Sequence, residues 1–205
     1  MLIAFEGIDG SGKTTQSKKL HEKLESLGFR SRWTMEPTSG PIGRVIKEAL
    51  EGRKKLDIRT LALLFAADRL EHNINEIRPL TEEGVIVISD RYLLSSLAYQ
   101  GSELPLEWIY SLNQWARMPN LVIYLDLDPK EALKRIRGKG IYHSLERLEK
   151  IRRMYLELIE ERPWRDCTYI VDASSEEDEV FSSVLNITLS VLGGEVNEVL
   201  SYRKC

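Results

Sequence analysis

Residues 5–16 read FEGIDGSGKTTQ, and within them Gly7-Ile8-Asp9-Gly10-Ser11-Gly12-Lys13-Thr14 fits the pattern G-x-x-x-x-G-K-[ST]. Glycines at these places let backbone N–H groups turn inward toward phosphate oxygens, and a helix starting just after them adds a favourable dipole. Lys13 is placed to reach the β- and γ-phosphates of a nucleoside triphosphate. The Thr14 hydroxyl is a ligand for a Mg²⁺ ion bridging those phosphates. Gly7 through Thr15 are therefore expected to form the nucleotide side of a site. Asp9 is the odd member of this loop. A carboxylate aimed at the triphosphate would repel it, so Asp9 is expected to point the other way, toward a second substrate.

Two further clusters belong with the loop. Asp90-Arg91-Tyr92 follows the β-branched run VIVIS (85–89). In an open parallel sheet ligands sit beyond the carboxyl ends of the strands, which puts Asp90 near the metal, through water, and Arg91 near a phosphate. Lys134, Arg135, Arg137 and Lys139 surround two glycines, a cationic flap of the kind that neutralises a moving phosphoryl group and excludes water.

The elements needed to position these groups are legible in the hydrophobic pattern. LIAFEGI (2–8), SRWTME (31–36), VIVIS (85–89), LVIYLDL (121–127) and TYIVDA (168–173) read as strands. Helical spacing covers 12–27, a short helix ending at Leu50, a long pattern from Asp57 to Leu80, segments near 95–101 and 106–117, one opened by Pro129, one over 144–161 and a last one over 176–192. Strands alternating with helices predict an α/β fold, a parallel sheet covered on both faces. One domain over 1–193 is expected, with a polar tail at 194–205.

Composition excludes little but points one way. The chain has 205 residues, 42% apolar and 30% charged, with a formal charge of −3, which gives no sign of a nucleic-acid or membrane binder. No segment has the length of a membrane span, and the N-terminus lacks a signal-like pattern. Cys167 and Cys205 form neither a metal nor a disulfide pattern, so a reducing, cytoplasmic location is expected.

Taken in order, FEGIDGSGKTTQ, EPTSGPIG (36–43), LLFAADRLEH (63–72), SDRYLLSSLAYQG (89–101), PNLVIYLDL (119–127) and VDAS (171–174) resemble the thymidylate kinases, P-loop nucleoside monophosphate kinases. The P-loop is generic; the LLFAADR and DRYLLSSLAYQG blocks carry the specificity. The resemblance implies a P-loop NTPase three-layer fold with a five-stranded parallel sheet, a short lid at about 137–145 and a homodimer. It implies phosphoryl transfer from ATP·Mg²⁺ to dTMP, giving dTDP and ADP. On the acceptor side it implies Glu36, Pro37, Phe65 stacked on the thymine, Arg69 donating to its O4, Ser96 at the N3 edge with Gln100 nearby, and Tyr99 where a ribose 2′-hydroxyl would clash. Asp9 would take the 3′-hydroxyl, and Arg135 would lie on the adenine face. Lys13, Arg91, Arg137, Lys139 and Asp9 are the expected catalytic set, with Thr14 and Asp90 on the metal.

The chain departs from the family pattern at three places. Gly10 stands where some members carry a catalytic arginine, so lid cations must supply that charge. Met35 and Ser39 stand where an arginine often grips the acceptor phosphate, leaving Arg91 alone or with Arg44. The lid reads GIYHS after its basic turn, with Tyr142 and His143 as partial substitutes. The rivals are a kinase for another nucleoside or monophosphate, and a nucleotide switch; the latter lacks an N-K-x-D segment for guanine.

Overall fold

The structure, a computed structural model, describes residues 1–136 and 140–200, with 194–200 as backbone only. Five parallel strands form one sheet: β1 (Leu2–Glu6), β2 (Ser31–Met35), β3 (Ile86–Asp90), β4 (Leu121–Asp126) and β5 (Thr168–Asp172), in the order β2-β3-β1-β4-β5. β1 and β3 are buried along their whole length. That is why they read as unbroken apolar runs rather than alternating ones: both sheet faces are covered. The register sets Phe5 beside Asp90 on one side and Ile123 on the other. The chain leaves β1 in one direction and later returns to pair β4 on its other edge. The crevice at the carboxyl end of β1 is thus the topological switch point, where α/β sheets bind ligands.

The helices are α1 (Lys13–Ser26), α2 (Pro41–Leu50), α3 (Ile58–His72), α4 (Arg78–Glu82), α5 (Leu93–Tyr99), α6 (Leu106–Leu112), α7 (Pro129–Arg135), α8 (Leu145–Ile159) and α9 (Glu177–Leu200). Three differences from the sequence pattern have physical causes. The long pattern from Asp57 contains a π-helical turn at Asn73–Ile77 between α3 and α4. There the Asn73 side-chain amide donates to the Arg69 carbonyl (2.8 Å), an insertion of the kind that loosens an i→i−4 ladder. α6 stops at Leu112, where the Asn113 amide donates to the Ile109 carbonyl (2.8 Å). α9 runs through Gly193 and Gly194, so the boundary placed between 193 and 194 falls inside a helix. Glycine costs a helix interior about 1 kcal/mol per residue, which disfavours a helix without forbidding one.

Most core residues form one cluster around β1, β3 and β4. A small second cluster of Ile46, Ala49 and Leu61 joins α2 to α3 and packs against Phe65. This satellite core fixes the helix that carries Phe65 and Arg69. No described helix is long and apolar enough to cross a membrane.

Candidate active site

β1 ends at Glu6 and the chain turns through Gly7–Gly12 into α1. Lys13 is buried and folds back over the loop, its Nζ donating to the Ile8 carbonyl (2.6 Å) and Ser11 Oγ (3.3 Å). Burial, then the Arg91 charge, push its pKa down to about 8; Asp9, Asp90 and Glu6 pull the other way. A polyanion placed beside it would restore the full cation. Thr14 Oγ1 donates to Asp90 Oδ2, so the two oxygen groups expected on the metal are side by side. Hydroxyl and carboxylate oxygens suit a hard cation that takes most of its shell from phosphates and water. No group of three or more His, Cys, Asp or Glu converges among the described residues. Gly10 has φ +85°, and a Cβ there would lie 2.6 Å from the Ala132 carbonyl oxygen of α7. The packing of α7 therefore explains why no arginine stands at that position.

Two cavities meet at this loop. One, about 360 Å³, is lined by the P-loop from Asp9 to Thr15, by Glu36 and Pro37, by Asp90 and Arg91, and by Arg135. The other, about 340 Å³, is lined by Pro37, Leu50, Phe65, Ser96, Tyr99 and Gln100, by Asp9 and Arg91, and by the turn from Gly140 to His143. Asp9, Pro37 and Arg91 belong to both. Among the described residues Arg91, at φ +69°, is the one non-glycine residue with positive φ, a strained conformation of the kind that clusters at functional sites. Its guanidinium donates to Asp9 Oδ1, Tyr99 Oη (3.2 Å), Ser95 Oγ (3.1 Å) and the Gly7 carbonyl (3.3 Å). It also lies 5.0 Å from the Tyr99 ring centre. Burial alone would raise the Asp9 pKa, but Arg91, His143 and Lys13 together hold it far below the usual carboxylate range. Asp9 is thus a fixed anion on the wall that the two cavities share.

Sequence reasoning missed the group beneath Arg91. Glu6 is fully buried and accepts from Tyr92 N (3.0 Å), Ser95 N (3.2 Å), Ser95 Oγ and Tyr155 Oη (2.9 Å). It satisfies the backbone donors where α5 begins and, through Ser95, reaches Arg91. Burial raises its pKa, opposed by Ser95 and by the Arg91 charge. The signal was present: an acid closing an otherwise apolar buried strand needs partners.

The other expected acceptor residues divide into two groups. Phe65, Ser96, Tyr99 and Gln100 line the second cavity. Gln100 Oε1 is buried without a hydrogen-bond partner, while its amide nitrogen is 3.5 Å from Tyr142 Oη. Arg69 lies behind this wall. Its N–H groups go to Glu36 Oε2 (2.9 and 2.7 Å), Ser96 Oγ (3.0 Å), Asn113 Oδ1 (2.6 Å) and the Tyr92 carbonyl (3.0 Å). Four of these are hydrogen bonds and the 2.7 Å contact of Nη2 with Glu36 is an ion pair, so the guanidinium is engaged on every nitrogen. The expected direct contact with a base therefore differs from the arrangement here, in which Arg69 reaches the cavity through Ser96. Glu36 is buried between Arg69 and His72 Nδ1 (3.0 Å) and touches the first cavity only. Arg44 donates to the Ser39 carbonyl (3.1 Å) and lines neither cavity. Arg135 donates to the Ala173 carbonyl (3.0 Å), which joins it to the VDAS segment at the far end of the first cavity. Arg137 and Lys139 lie outside the described residues.

A P-loop at the switch point of a five-stranded parallel sheet, opening onto two cavities that share a carboxylate and an arginine, defines a P-loop phosphotransferase. The family model for thymidylate kinase matches residues 5–184, and the chain belongs to that family. A probable thymidylate kinase of Thermococcus kodakarensis is 39% identical over 95% of this chain and 100% of its own. Those of Pyrobaculum aerophilum and Methanocaldococcus jannaschii are 44% and 45% identical, covering 93% and 78% of this chain and 97% and 82% of theirs. The chain is accordingly an enzyme that transfers a phosphoryl group from ATP to dTMP, giving dTDP and ADP, and the rival acceptors are not favoured.

Proposed function

We propose that the first cavity takes ATP and the second dTMP, with the transferred phosphoryl passing beside Arg91 on the wall they share. The observation that carries this reading is that Asp9, Pro37 and Arg91 line both cavities. Lys13 neutralises charge on the β- and γ-phosphates, and Arg91, on the shared wall, holds the acceptor phosphate. Asp9, already ionised, accepts the 3′-hydroxyl. Thr14 and Asp90 would hold Mg²⁺, which when bound would screen charge on the phosphates. Phe65 stacks on the base, and Tyr99 closes the sugar position. Ser96 and the partnerless carbonyl of Gln100 read the N3 edge, where thymine is a donor. Arg69 acts by orienting Ser96. Arg135 covers the adenine, and Arg137 and Lys139 supply the remaining cations.

The enzyme is proposed to be a homodimer. Ile74 and Trp115 are 56% and 74% exposed and line one common hollow with Leu70, an apolar face that a second copy would cover. A cytoplasmic location follows from where ATP and dTMP are available.

The reading is tested by coupled ADP release with ATP and Mg²⁺ over a panel of acceptors. dTMP should be used clearly better than dCMP, UMP and thymidine. A preference for UMP or thymidine, or ADP release indifferent to every monophosphate, would overturn it.

A further inference from the structure

The turn after the basic flap has a structure that its sequence, GIYHS, does not announce. A histidine there is expected to be exposed, yet the His143 side chain is only 23% accessible and its Nε2 lies 3.4 Å from Asp9 Oδ2. The turn itself sets this ring. Gly140 N–H donates to His143 Nδ1 (2.9 Å), and His143 N–H donates back to the Gly140 carbonyl (3.1 Å). A Cβ on Gly140 would lie 2.8 Å from Cε1 and 3.0 Å from Nε2 of the imidazole, so only glycine lets the ring lie this close. The flanking residues anchor the turn from both sides. Tyr142 is buried with its ring edge-on to Tyr99 at 5.0 Å, and Ile141 N–H donates to the Leu50 carbonyl (3.3 Å) at the end of α2.

The hydrogen bond from Gly140 decides the chemistry of the ring. Because Nδ1 accepts a backbone N–H, the imidazole proton sits on Nε2, the atom turned toward Asp9. Asp9 is then contacted at both oxygens, Oδ1 by Arg91 and Oδ2 by His143. A carboxylate oxygen has a second acceptor site, so Oδ2 can keep His143 and still take a ligand hydroxyl.

We propose that His143 is a positioning residue of the acceptor site, fixing the Asp9 carboxylate in the orientation that receives the acceptor's hydroxyl. The proposal rests on the reading of Asp9 as that hydroxyl's acceptor. It makes the Gly140–His143 turn part of the specificity apparatus rather than a covering flap.

The test uses the full chain with two acceptors, dTMP and its 3′-deoxy analogue. His143→Ala should raise KM for dTMP about tenfold, the worth of one hydrogen bond to a charged group, with KM for ATP within about twofold. It should reduce the preference for dTMP over the 3′-deoxy analogue by a similar factor. Gly140→Ala, which displaces the ring, should act in the same direction. His143→Gln, which offers an amide N–H near the place of Nε2, should recover most of the loss. In an Asp9→Asn background His143→Ala should add little. An equal loss for both acceptors, or the same loss with and without Asp9, would overturn the positioning role while leaving the reading of Asp9 intact. Unchanged discrimination in Asp9→Asn alone would overturn that reading and the His143 proposal with it.

Discussion

At the scale of single residues, charge placement governs the site. Lys13, Asp9 and Arg91 sit within one short loop and one strand end, and their types name their chemistry. The buried polar residues behind them are less obvious. His72 is held between Glu36 Oε1 (3.0 Å), Thr34 Oγ1 (2.7 Å) and Glu76 Oε2 (3.5 Å). Burial lowers its pKa, but the carboxylates outweigh that and raise it from 6.5 to about 9. A histidine raised in the folded state stabilises fully below its unfolded value and loses that stabilisation as pH rises through the folded one. Between pH 6 and 8, unfolding by urea should show wild type losing about 1–2 kcal/mol relative to His72→Gln, which cannot charge. Identical pH slopes for the two proteins would contradict the assignment. That window stays below the rise expected from Lys13, whose folded value near 8 is depressed, so that its contribution grows only toward 10.5. That Asp9 stands apart from the rest of the loop was legible because a carboxylate among phosphate-binding groups is out of place, and the structure sets it on the wall between two cavities. The partners of Arg69 were not, because Glu36, Ser96 and Asn113 converge on it from three separate segments.

At the scale of elements, periodicity and punctuation located every strand. What they could not show is which side chain holds which element. Glu6, on β1, accepts the backbone donors where α5 begins, and so sets the helix that carries Ser96, Tyr99 and the segment next to Arg91. Replacing Glu6 by Ala leaves Tyr92 N–H unpaired in the core, strips Ser95 Oγ and Tyr155 Oη of a carboxylate acceptor, and leaves Ser95 N–H only its bond to the Tyr92 carbonyl (3.2 Å). The cost should be about 2–4 kcal/mol in urea unfolding, with Glu6→Gln milder because its amide oxygen still accepts. A loss below about 1 kcal/mol for Glu6→Ala would mean that α5 is held by packing alone. The π turn after α3 escaped the pattern for a related reason. It is a local exception held by a tertiary contact, Tyr92 Oη donating to Asn73 Oδ1 (2.8 Å).

At the scale of the molecule, the strand order puts the P-loop, Asp90 and Arg91 at one crevice, and the two cavities open on either side of it. The exposed face with Leu70, Ile74 and Trp115 lies on α3, on the π turn and just past α6. Sedimentation at micromolar concentration should show a dimer for wild type and a monomer for Ile74→Glu. A monomeric wild type would remove that interface. The account's central claim is that one loop serves two substrates, Lys13 and Thr14 facing the donor and Asp9 the acceptor. It is tested most directly by the steady-state kinetics of Asp9→Asn with ATP and dTMP varied in turn. KM for dTMP should rise about tenfold or more while KM for ATP stays within about twofold. Impaired ATP binding with dTMP use intact would contradict the claim.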